Sequence, residues 1–176
     1  MMQRNARRFL YPLVVVVAIG LLGLDTAQAA DLKTGTLSGG GAIGFLANTP
    51  DGTAFAFNVN ADYFVHQNVS FGPLFQLAAT GDLFQFGLSG QGKLWIDLPG
   101  TEHKARLVLQ GGFGFLHSDF IEADTSWLIP LGVGLDYAIS PKINVTATFL
   151  LNFTDVDTGG GTGAHVMPGL TFGVRF

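Results

Sequence analysis

The residues best suited by type and spacing to carry out chemistry are His117, Ser118 and Asp119. A nucleophilic serine needs a general base within hydrogen-bond reach, and histidine often supplies that base. In an extended strand His117 and Ser118 project to opposite faces, and no serine lies two residues from His117. Only a bend would bring the two side chains together, so we expect no catalytic residues in this protein.

Two further motifs resemble ligand sites without meeting their requirements. Gly39–Gly44, with the sequence GGGAIG, matches a dinucleotide fingerprint, and Asp62 lies near the expected acidic position, but no helix is predicted to follow. Asp155, Asp157 and Gly159 form too incomplete a series for a calcium loop. The chain also has no cysteine, which excludes disulfides and thiolate chemistry. We therefore expect no metal, no cofactor and, at a formal net charge of -4, no nucleic-acid partner.

The segments that must position these residues show the period of β-strands. Between Ala54 and Val65, a face of Phe, Val and Tyr alternates with a face that holds Asn, Asp and Ala. The same alternation recurs along the chain, and turn sequences separate its copies. The predicted strands cover about residues 36–47, 54–65, 69–79, 84–96, 106–115, 127–137, 143–153 and 165–176, with the longest connection from His117 to Ser126.

The N-terminal residues have the features of a secretory signal peptide. Arg4, Arg7 and Arg8 precede an apolar run, and the small-residue site Ala27-Gln28-Ala29 follows it. The run is short for a bilayer span. We expect residues 1–29 to be removed and residues 30–176 to fold as one domain after export.

The composition indicates that the mature domain lies in a membrane. Charged residues make up 12% of the chain, against about a quarter in soluble domains. In hydrocarbon every backbone polar group must be paired within the protein, so strands can cross only as a closed barrel. The sequence therefore predicts an all-β fold, an eight-stranded antiparallel up-and-down transmembrane β-barrel with its apolar rows facing lipid. The rival fold, a soluble lipocalin-like barrel, would leave Gly, Asn and Gln on its surface and crowd the phenylalanines inside.

The last predicted strand carries a more specific signal. It alternates Leu170, Phe172, Val174 and Phe176 and ends on that phenylalanine. With the export signal and eight alternating strands, the mature chain resembles small outer-membrane β-barrels of the OmpA-transmembrane and OmpX kind. The resemblance implies residence in the outer membrane of a Gram-negative cell, among outer-membrane lipid and lipopolysaccharide. It also implies that Phe172, Val174 and Phe176 form an assembly signal for the barrel-assembly machinery; the oligomeric state is left open.

Five charged residues fall on the inner face of the predicted barrel by parity: Asp62, Lys93, Arg106, Asp136 and Arg175. Unpaired charges in so confined a space are costly, so we expect an ion-pair and hydrogen-bond network in the half nearer the termini. The network is either a gate or a polar core that holds the barrel shut. An eight-stranded barrel has little spare interior volume, which favours the polar core.

The expected function is that of a non-enzymatic integral outer-membrane protein with a structural or interaction role in the envelope. The first alternative is a narrow porin-like conduit for small or apolar solutes. A lipid A-modifying enzyme that uses His117 is a further alternative, because some barrels of this size have that activity. Pro73, Pro130 and Pro168 depart from the pattern, since each interrupts a strand that has no free edge.

Overall fold

The protein is a closed barrel of eight antiparallel strands in sequence order. The computed structural model describes residues 32–159 and 164–176, so the predicted signal peptide lies outside the described residues. No helix within these two ranges is long and apolar enough to cross a membrane. The predicted architecture is confirmed, with strands β1 (Leu37–Thr49), β2 (Gly52–His66), β3 (Val69–Ala79), β4 (Phe84–Asp97), β5 (Ala105–Asp119), β6 (Ala123–Ser140), β7 (Ile143–Val156) and β8 (Ala164–Arg175).

The outer face of the barrel is apolar, as the alternation predicts. In β2, Phe55 and Tyr63 are exposed, whereas Ala54 and Asp62 on the opposite face are buried. Phe45 and Phe113 expose 63% and 66% of their surface, far more than a large apolar residue in a soluble core. The soluble lipocalin-like alternative is therefore wrong, because the bulky rows surround the barrel instead of filling it.

The barrel has two distinct ends. At the terminal end, where Leu32 and Phe176 lie, residues 67–68, 98–104 and 141–142 connect the strands. At the opposite end, which we call the loop end, the described connections are residues 50–51, 80–83 and 120–122, together with residues 157–159 after β7. The connections are short, so most of the described chain belongs to the barrel wall.

The long connection expected between His117 and Ser126 is mostly strand. β5 continues to Asp119 and β6 begins at Ala123, and His117 lies opposite Thr125 in the ladder between them. β4 supplies a partner along this length, since Phe84 pairs with Asp119. The backbone hydrogen bonds therefore continue past the point where polar side chains suggested a loop.

The three prolines interrupt one side of their strands and pair on the other. Pro73 lies opposite Gly90 of β4, and Pro130 lies opposite Asn152 of β7. On the other side of each proline, the ladder between β2 and β3 or between β5 and β6 is interrupted. Beyond the proline the strands pair again in the same register. Pro168 follows the same rule, because it pairs with β7 just beyond the point where the β1–β8 ladder ends. The loss of a ladder hydrogen bond is thus local and leaves the strand order intact.

Glycines on the inner face allow the strands to bend sharply around a narrow interior. A methyl group added at Gly114 would overlap the carbonyl oxygen of Leu88 on the neighbouring strand. The same is true at Gly72, where the carbonyl oxygen of Ala61 occupies that space. Glycine is required at such positions because one backbone lies directly against the next.

We predict that Gly114→Ala destabilises the barrel, whereas Gly90→Ala does not. A methyl group at Gly90 meets no atom within 4 Å, since this glycine lies on the outer face. We expect Gly114→Ala to lower the free energy of unfolding by about 1–3 kcal/mol through overpacking. Gly90→Ala should raise it by up to about 1 kcal/mol, because glycine is unfavourable within a strand. Urea unfolding in lipid vesicles measures both values, and equal effects would contradict the close approach at Gly114.

Candidate functional site in the barrel interior

The inner face of the barrel is divided into three layers. Two apolar clusters occupy its ends, and polar side chains lie between them. The loop-end lid consists of Leu46, Ala54, Ala56, Ala78, Leu83, Leu116, Leu128, Val156 and Met167, with Phe120 packed against it. The terminal lid consists of Leu32, Phe64, Trp95 and Val108. The polar column between them consists of Asn58, Asn60, Asp62, Gln76, Gln85, Lys93, Gln110, Asp136, Thr146, Thr148, Asn152, Thr171 and Arg175.

Four of the five predicted interior charges form two buried ion pairs in the polar column. Lys93 Nζ lies 2.9 Å from Asp62 Oδ2. Arg175 donates to both carboxylate oxygens of Asp136, from Nε at 2.8 Å and from Nη2 at 2.9 Å. All four side chains are at least nine-tenths buried. The two-point contact fixes the orientation of the guanidinium as well as its position.

Arg106, the fifth predicted residue, is buried but pairs with a residue that the sequence analysis did not select. Its Nε lies 2.7 Å from Asp97 Oδ1, at the terminal end of β4. Asp97 lies directly opposite Arg106 in the β4–β5 ladder and shares a strand face with Lys93 and Trp95. Parity could have identified it, but its position beside the Pro99 turn made it look like part of a connection.

Neutral polar groups complete the coordination of the two carboxylates. Asn60 Nδ2 donates to Asp62 at 2.6 Å, and Asn144 Nδ2 donates to Asp136. Asn144 lies opposite Arg175 in the β7–β8 ladder, so both reach the same carboxylate. Each carboxylate therefore accepts a hydrogen bond from an asparagine in addition to its contact with a basic side chain.

Trp95 links the polar column to the terminal lid. Its side chain faces inward, as parity predicts, and packs 5.4 Å from the ring of Phe64. The guanidinium of Arg175 lies 5.0 Å from the centre of the indole, a cation–π contact. The indole Nε1 donates to Ser70 Oγ at 2.9 Å, so this polar atom is satisfied inside the barrel.

The structure separates the residues that resembled a catalytic pair. Ser118 is fully buried on the inner face, whereas His117 lies on the outer face, 5.2 Å from the ring of Phe86. The hydroxyl that His117 contacts belongs to Thr125, whose Oγ1 lies 2.7 Å from Nδ1. The bend needed for a His117–Ser118 pair is absent from the described chain.

Other sequence motifs also lack the geometry of a ligand site. Gly39–Gly44 lies inside strand β1, which explains its glycines without a nucleotide. Among the described residues no group of three or more His, Asp or Glu side chains is arranged to hold a metal ion. Strand parity places His165 on the inner face of β8, but its side chain is 75% exposed, and its Nδ1 lies 3.5 Å from Asp155 Oδ1. His165 lies nearer the loop end of β8 than Met167 of the loop-end lid. At this height the inner face of the strand is outside the enclosed interior.

The C-terminal residues complete the wall of the barrel. Phe172 and Val174 are exposed on the outer face. The backbone N–H of Phe176 donates to the carbonyl of Gly39, and the N–H of Gly39 donates to the carbonyl of Phe176, each at 2.9 Å. Ser38 Oγ donates to the same Phe176 carbonyl at 2.9 Å. The final residue of the chain is therefore held against the first strand.

Two cavities lie inside the polar column. The larger, of about 60 Å³, borders both ion pairs and the terminal-lid residue Trp95. The smaller, of about 20 Å³, borders Gln85 and the loop-end-lid residue Leu116. Asn58 and Thr171 line both cavities, so the two adjoin along the barrel axis. Each borders lid residues at one end, and neither has room for a solute larger than a few atoms.

We predict that removing one member of a buried ion pair strongly destabilises the protein. Lys93→Met leaves Asp62 uncompensated in the interior, and we expect a loss of about 3–5 kcal/mol in the free energy of unfolding. The control is Lys104→Met, because Lys104 and Glu102 form an exposed pair whose loss should cost at most about 1 kcal/mol. The double variant Lys93→Met/Asp62→Leu should recover much of the loss. Urea unfolding in vesicles that shows equal effects for Lys93→Met and Lys104→Met would contradict the buried pair.

Comparison with known proteins supports the fold. No protein-family model matches the sequence, and no curated protein matches it. Neisserial surface protein A has a similar structure, with 16% identity and a TM-score of 0.60 over 79% of this chain and 94% of that chain. The N-terminal β-barrel domain of Pseudomonas aeruginosa OprF follows, with 15% identity and a TM-score of 0.55 over 79% and 97%. A de novo designed transmembrane β-barrel has 13% identity and a TM-score of 0.54 over 83% and 98%. This chain therefore has the fold of the small eight-stranded transmembrane barrels.

Proposed function

We propose that the protein is a non-enzymatic integral protein of the bacterial outer membrane, with a structural or interaction role in the envelope. The observation that carries this proposal is a closed barrel whose exposed outer face is apolar and whose buried inner face holds two ion pairs. In a closed barrel the backbone N–H and C=O groups of every strand are hydrogen-bonded to neighbouring strands, and the apolar outer face is stable when hydrocarbon surrounds it.

Exposed aromatic side chains near both ends support a membrane-spanning orientation. Tyr63 and Tyr137 lie toward the terminal end, and Phe84, Phe115 and Trp127 lie toward the loop end. Aromatic girdles of this kind flank the apolar band of outer-membrane barrels at the two interfaces. The lipid-facing surface between them is the contact that we propose for outer-membrane lipid.

The charges at the two ends support an orientation with the termini in the periplasm. The charged residues at the loop end of the described chain are acidic: Asp51, Asp82, Asp119, Glu122, Asp124, Asp155 and Asp157. Lys33, Lys104 and Lys142 lie at the terminal end. An acidic rim that faces outward attracts divalent cations, which bridge lipopolysaccharide. Solvation of these carboxylates alone also accounts for their placement.

The interior favours a closed barrel over the alternative of a conduit. Phe64 and Leu128, in the two lids, are both fully buried. An apolar constriction of this kind excludes water and ions. The enzyme alternative has less support, because His117 and Ser118 lie on opposite faces of the wall.

We expect single arginine substitutions on β6 to show a membrane-depth profile. Leu131 lies near the middle of the exposed face and Ile139 at its terminal end. Leu131→Arg should lower the free energy of unfolding in bilayers by about 2–4 kcal/mol, whereas Ile139→Arg should cost at most about 1 kcal/mol. Both variants are compared with the wild type by urea unfolding in lipid vesicles. Equal effects, or a protein that stays soluble without lipid, would refute the membrane assignment.

Cells that express the protein allow a second test of the proposed function, by fractionation and by analysis of their lipid A. The wild-type protein should fractionate with the outer membrane, and the mass spectrum of lipid A should be the same as in cells without it. A change in lipid A that disappears in His117→Ala would instead establish the enzyme alternative.

We propose that Phe172, Val174 and Phe176 form the assembly signal for the barrel-assembly machinery. Their alternation places them on one face of the closing strand, where Phe172 and Val174 are exposed. We expect Phe176→Ala to reduce the amount of folded protein in the outer membrane while its refolding into vesicles of pure lipid remains close to wild type. Phe149→Ala, at an exposed position within β7, is the control for loss of an aromatic residue. Equal losses in cells for both variants would contradict a specific signal.

A further inference from the structure

Half of the buried side-chain oxygens that lack a hydrogen-bond partner in the described chain belong to residues around one cavity. The side-chain oxygens of Asn58, Gln76, Gln85 and Asn152 are buried and have no hydrogen-bond partner among the described residues. All four residues line the smaller cavity, below the loop-end lid. A buried polar atom without a partner costs about 1–3 kcal/mol, so a molecule in this cavity that donates hydrogen bonds to these oxygens stabilises the barrel.

The sizes of the two cavities identify water as that ligand. A buried water molecule needs roughly 15 Å³ of cavity volume and two to four polar partners. The smaller cavity, at about 20 Å³, has room for one such molecule, which can donate hydrogen bonds to two of the four oxygens. The larger cavity, at about 60 Å³, has room for about four. Because Asn58, Leu150 and Thr171 line both cavities, the two water sites adjoin along the barrel axis between the lids.

The ion pairs border this column and do not interrupt it. Lys93, Asp62, Asp136 and Arg175 all line the larger cavity, so each pair lies at the side of the water path. The lids, in contrast, place buried apolar side chains at the two ends of the column. Leu128 and Met167 at the loop end and Phe64 at the terminal end are each fully buried.

We propose that the barrel contains a hydrated polar column sealed at both ends, and that the two apolar lids, not the ion pairs, are the barrier to permeation. Narrow apolar constrictions exclude water because the liquid gains no hydrogen bonds there. The protein is thus a closed pore for water and small ions. This inference rests on the proposed function, since it requires the barrel to span a bilayer.

Conductance of the purified full-length mature protein in planar lipid bilayers tests which element is the barrier. The wild type should show no current steps. A variant opened at both lids, Leu128→Ser/Met167→Ser/Phe64→Ser, should show discrete steps, because a wettable path then joins the column to both solutions. The variant Leu128→Ser/Met167→Ser and the variant Phe64→Ser, each opened at one lid, should remain silent. The matched control, Lys93→Met/Asp62→Leu, removes an ion pair but keeps both lids, and it should also remain silent.

Current steps in the ion-pair control, or silence of the folded and inserted variant opened at both lids, would overturn the proposal. Insertion is checked separately by the gel mobility of unheated samples and by protease protection in vesicles. Failure of the wild type to insert counts against the proposed function, whereas silence of an inserted open-lid variant counts against the lids.

Nuclear magnetic resonance of the wild type in micelles tests the column without any substitution. Cross peaks from water to the side-chain amides of Asn58, Gln76 and Asn152 are expected, with the exposed Asn48 amide as the reference. Cross peaks at Asn48 but not at the three interior amides would overturn the hydrated column, even if the variants opened at both lids failed to fold.

Discussion

The hydrogen-bonded ladder between β1 and β8 is the contact on which the rest of the structure depends. It runs from Gly40 opposite Arg175 to Leu46 opposite Gly169 and removes the last free edges of the sheet. Hydrocarbon offers no hydrogen bonds, so a barrel left open here would expose unpaired backbone to lipid. Closure with eight strands also fixes a narrow interior, which must be filled by the protein's own side chains.

Both faces of the wall follow from this closure. The narrow interior demands glycine where neighbouring backbones meet, as at Gly72 and Gly114, and leaves only small cavities between the polar side chains. The charges that remain inside must be paired, and Lys93 with Asp62 and Arg175 with Asp136 satisfy that requirement. The outer face is free of this crowding and carries the bulky apolar residues, so the two sides of each strand have opposite chemistry.

Period-two alternation was enough to predict the strands, their order and the face on which each residue lies. It placed Lys93 and Asp136 inside, where the structure finds them. It did not reveal the heights of residues along the barrel axis, because height depends on the register between strands. Phe64 and Leu128 share the inner face with polar residues, and only the register shows that they lie in separate lids. His165 shows the same limit of parity. Parity assigns it to the inner face, but it lies beyond the loop-end lid and its side chain is exposed.

The partner of Asp136 is the penultimate residue of the chain. Asp136 lies on β6, and Arg175 on β8 donates to both oxygens of its carboxylate. Until β8 docks, that carboxylate lacks its two-point contact with Arg175, and a buried charge that loses such a partner is disfavoured. Formation of the Arg175–Asp136 ion pair and closure of the barrel are therefore one event. A partly assembled barrel with β8 undocked is unfavourable on electrostatic as well as hydrogen-bonding grounds.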